Sequence, residues 1–93
     1  MDTKKILELL EEKNRELYHE IQQKREKIVE YNKKWKRLQD ELQSQKYPVP
    51  MGYNYGNICA MQDIDREIEK LKKEIEDLQK KKETLKIQID IYS

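Results

Sequence analysis

The chain has 93 residues, 42% of them charged and 35% hydrophobic, with 20 basic groups against 19 acidic. This allows one small domain without a conventional globular core, and the balanced charge disfavours polyanion binding through bulk charge. A single cysteine, Cys59, excludes an intrachain disulfide and fits a reducing compartment. No apolar run reaches membrane-spanning length and no signal-peptide core opens the chain, so no membrane role and a cytoplasmic or nuclear location are expected.

Asp2 or Thr3 can cap a first helix, expected over residues 2–45. Within it Leu7, Leu10, Asn14, Leu17, Ile21, Lys24, Ile28, Tyr31, Trp35, Leu38 and Leu42 alternate steps of three and four. That spacing lays one narrow apolar stripe along a helix, and the stripe needs a second helix to cover it. Counting Leu7 as heptad position a puts Asn14, Ile21, Ile28, Trp35 and Leu42 at a, and Leu10, Leu17, Lys24, Tyr31 and Leu38 at d.

A linker or tip follows at residues 46–57, holding both prolines and both glycines. Pro48 and Pro50 cannot continue a helix, and Gly52 and Gly56 can supply positive φ if a turn needs it. Tyr47, Tyr53 and Tyr55, with Val49 and Met51, are the candidate partner-binding residues, because tyrosine is enriched at interface hot spots. The competing reading is that they fold over the end of the seam and cap it. A zinc-hook hairpin would need Cys-x-x-Cys here, where the chain reads Tyr47-Pro48-Val49-Pro50.

A second helix is expected over 58–92, with Asn57 or Asp63 as its cap. Met61, Ile68, Ile75, Lys82 and Ile89 are its a positions, and Ile64, Leu71, Leu78, Leu85 and Tyr92 its d positions. Sevens counted from Leu42 reach position 63, two residues beyond Met61, so one continuous supercoil is not expected. The whole chain, 1–93, reads as a single all-α module: two long helices forming an antiparallel coiled-coil hairpin that self-associates. The alternative is a parallel dimeric coiled coil with a central break, favoured by Ile at a and Leu at d in the second helix and by Asn14 at a.

Antiparallel helices pair a with d, so paired residue numbers share one sum. A sum of 99 sets Lys24 against Ile75 and Leu17 against Lys82, so each core lysine meets an aliphatic residue and can snorkel outward. A sum of 106 sets Lys24 against Lys82. The 99 register also flanks the seam with Lys34–Glu67, Lys27–Glu74, Glu20–Lys81 and Glu11–Lys86, leaving only Arg25–Lys72 repulsive. The expected core seam is Leu10, Leu17, Ile21, Ile28, Tyr31, Trp35, Leu38, Ile64, Ile68, Leu71, Ile75, Leu78, Leu85 and Ile89. Ile6 and Leu9, with Ile87 and Ile91, gather at the end opposite the tip, where hairpins could associate.

Residues 24–37 hold seven basic and two acidic residues with Tyr31 and Trp35. This Lys24–Arg37 face supports an alternative, a nucleic-acid-associated helical hairpin. Tyr31 and Trp35 occupy seam positions, however, which argues against base stacking. His19 sits at the outermost position without a second His or Cys nearby. No nucleophile–base pair, phosphate loop or metal-ligand spacing appears, so no catalytic, metal or cofactor site is expected. The reading is a non-enzymatic structural or adaptor module that binds a protein partner through helix faces or tip and forms homo-oligomers.

Overall fold

The computed structural model describes residues 2–44 and 55–93. Two helices fill these segments, α1 over Thr3–Gln43 and α2 over Tyr55–Tyr92. They lie antiparallel as a hairpin, a rod of 71 × 15 × 15 Å. The parallel, centrally broken arrangement is therefore not what the chain adopts.

Asp2 caps α1. Its backbone is extended, its carboxylate accepts from the Lys4 N–H at 3.3 Å, and its carbonyl accepts from Lys5 and Ile6. At the other end the Ser44 N–H donates to the Asp40 carbonyl at 2.9 Å and its hydroxyl to the Glu41 carbonyl at 3.0 Å. These bonds satisfy carbonyls that the last turn would leave open.

The second helix begins at Tyr55, three residues before the expected 58. Asn57 is therefore inside the first turn rather than capping it. Its carboxamide instead donates across the hairpin to Glu41 at 3.2 Å. Gly56 is helical too, and no described glycine has positive φ. First-turn residues need no intrahelical acceptor for their N–H groups, so weak helix formers are tolerated there.

Cross-helix contacts fix the register near a sum of 99. Lys24 meets Glu74, Glu41 meets Asn57, and Lys82 lies against Tyr18, the neighbour of Leu17. A sum of 106 would slide the helices by one heptad and bring Lys24 to Lys82. The expected flank pairs do not close as ion pairs, and Glu74 bonds Lys24, not Lys27. A core lysine must bring its ammonium out of the seam, and Glu74 is the carboxylate in reach. Lys34 and Glu67, Glu20 and Lys81, and Glu11 and Lys86 share grooves. None of these pairs is among the ion pairs of the described residues.

Burial is uneven. Ile64, Ile68, Leu71, Ile75, Leu78 and Leu85 of α2 are buried, but only Leu17 and Ile21 of α1. Leu10, Ile28, Tyr31, Trp35, Leu38 and Ile89 are half-buried, so the expected seam residues all face inward to differing depth. Leu17, Ile21, Ile75, Leu78 and Leu85 form one packed cluster, flanked by Leu10 and Ile28.

Candidate interaction surface

The seam divides the rod into two long sides. On the first, Lys24 at position d runs outward to Glu74, Nζ to Oε2 at 2.8 Å. The hydrogen bond from Lys24 and its charge, with Lys70 and Lys27 beyond, hold the Glu74 carboxyl below its ordinary range against a smaller opposing desolvation. Lys34 and Glu67 line a groove with Ile64 on this same side.

The second side differs. Lys82 at position a leaves the seam in this direction, and its ammonium sits 4.7 Å from the centre of the Tyr18 ring. An open groove of about 710 Å³ runs here between the helices, bordered by Glu11, Asn14, Lys82, Lys86 and Ile89. The Asn14 Oδ1 and, further along α1, the Trp35 Nε1 are buried without a hydrogen-bond partner. One is an acceptor and the other a donor, and each costs about 1–3 kcal/mol unpaired. Both belong to a positions, which lean toward this second side.

Several apolar side chains remain exposed. Tyr18 and Val29, at positions e and b on the second side, keep 48% and 52% of their surface. Leu9, Ile87 and Ile91 are exposed near the open end, and Ile58 near the start of α2. Tyr55, the one tip candidate within the described residues, is 66% exposed. Cys59, one turn on, raises its hydroxyl above the ordinary value, first by hydrogen bonding and then by charge. Tyr47, Val49, Met51 and Tyr53 lie outside the described residues.

In the basic stretch Lys24 is paired with Glu74, and Tyr31 and Trp35 are half-buried in the seam, while Arg25, Lys33, Lys36 and Arg37 are exposed. Among the described residues no group of His, Cys, Asp or Glu is assembled to hold a metal, and no helix is long and apolar enough to cross a membrane. The contact of Tyr18 with Lys82 was not foreseen. The signal was available, since Tyr18 follows Leu17, the residue that the 99 register sets opposite Lys82. No protein-family model matches the chain, and no curated protein or solved structure is similar enough to count as a match.

Proposed function

We propose that this chain is a non-enzymatic structural or adaptor module that works by helix-to-helix recognition, self-associating and offering its remaining helix faces and tip to a protein partner. The observation that carries this reading is the exposure of Tyr18, Val29, Leu9, Ile87 and Ile91 on a hairpin whose core is a single seam. A two-helix seam is a thin core, and apolar groups left outside it gain by meeting another helix. In such recognition the apolar anchors give affinity, and the flanking charges select partner and orientation.

Light scattering at micromolar concentration tests the self-association, with a mass of twice 11.4 kDa expected. A monomer across that range would remove self-association from the reading. Binding to a short nucleic-acid duplex with a steep salt dependence would favour the alternative role of the Lys24–Arg37 face.

A further inference from the structure

We infer that a second copy of this chain packs on the Tyr18–Val29 side of the rod, with α1 antiparallel to α1 about a two-fold axis near the middle of the hairpin. This rests on the self-associating reading above and gives it a geometry. The hairpin exposes 7752 Å². A compact protein of its mass exposes about 5,800 Å². The excess is larger than the roughly 800 Å² per partner that a standard interface removes.

The register comes from α1 itself. Along its e and b rows, residue numbers adding to 47 bring Tyr18 to Val29 of the second copy, Glu11 to Lys36, and Arg25 to Gln22. The two large apolar side chains that α1 exposes on this side thus cover each other twice. On the outer flank, where numbers add to 45, Lys5 meets Asp40 and Glu12 meets Lys33. On the inner flank, numbers adding to 49 set Asn14 level with Trp35 of the second copy, while Ile21 stays buried in its own hairpin. The unpaired acceptor and donor, buried in their own hairpins, thus lie at one level beneath this interface.

Neighbouring registers fail on charge. Shifted by one heptad one way, Glu26 meets itself and Glu12 meets Asp40. Shifted the other way, Arg15 meets Arg25 and Lys5 meets Lys33. A two-fold axis running along the rod would gather Arg25 and Lys72 of both copies at one level. The α2 surfaces, brought together by the same axis, are less selective: Lys72 meets Glu76, while Asp65 meets Glu83. The specificity is in α1.

A nitroxide label on Cys59, the single cysteine, tests the arrangement by pulsed electron paramagnetic resonance on the full chain. Cys59 lies near the tip end, so antiparallel packing separates the two labels by about 50 Å, some 33 residues of helical rise. Parallel packing brings them within about 25 Å, roughly two helix diameters. A second measurement uses residues outside the hairpin seam. Glu12→Lys should weaken the dimer about tenfold, because two like-charge contacts replace two favourable ones, and adding Lys33→Glu in the same chain should restore it. A dimer with a short label distance, or one indifferent to Glu12→Lys, overturns the arrangement and leaves self-association standing. A monomeric mass overturns both.

Discussion

The two helices carry similar heptads but bury them differently. In α2 the seam is almost wholly aliphatic, and six of its residues are buried. In α1 the run is interrupted by Asn14, Lys24, Tyr31 and Trp35, and only Leu17 and Ile21 reach the same depth. Aliphatic side chains of matched length fill a narrow seam, whereas long, flat or polar ones spill over its edges. The contrast teaches that one helix supplies the core and the other supplies the features that choose register and neighbours.

Truncation should break the comparison most visibly. Ile75→Ala, in the buried cluster, should cost about 3–4 kcal/mol in denaturant unfolding, and Ile28→Ala, half-buried on α1, about half of that. Equal losses would mean that the two helices contribute alike. Trp35→Ala should cost about 3 kcal/mol, since a large ring leaves the seam. If thermal unfolding barely moved, Trp35 would be a surface residue.

The core lysine offers a sharper probe. Lys24→Met keeps the volume and removes the need to bring an ammonium out of the seam, so stability should stay within about 1 kcal/mol of the parent. Acid should act through its partner. Glu74 ionises below its usual 4.5 in the folded hairpin, so it binds its proton more readily when unfolded. Its contribution is complete above that value and is lost as pH falls through the lower folded value. Unfolding midpoints followed from neutral pH down should therefore fall less steeply in Glu74→Gln than in the parent; identical slopes would discard the Lys24–Glu74 contact as a source of stability. The smallest effect is expected at the start of α2. Gly56 is helical with open space around its Cα, so Gly56→Ala should stabilise by about 0.5 kcal/mol.

Much of the hairpin was legible because heptads are a one-dimensional code. The steps of three and four, the two prolines and the two core lysines carry both the helices and the 99 register. The charge flanks were legible only by row. Rows assign neighbours, but a long flexible side chain chooses among them, and Lys24 took the carboxylate assigned to Lys27. The start of α2 was hidden because glycine and asparagine read as breakers, although a first turn tolerates them. The partnerless atoms of Asn14 and Trp35 could not be read at all, since a satisfied and an orphaned polar atom have the same sequence.

The antiparallel register has a mechanical consequence. Asp2 and Ser93 lie at the same end of the rod. Force applied between them would load one seam layer at a time, beginning at Leu7 and Leu10 and passing Asn14, which borders the open groove. The hairpin would open like a zipper at low force. Force applied between the tip and that end would load every layer of the seam at once and be resisted in shear. The same helices thus make a compliant element in one loading direction and a stiff strut in the other.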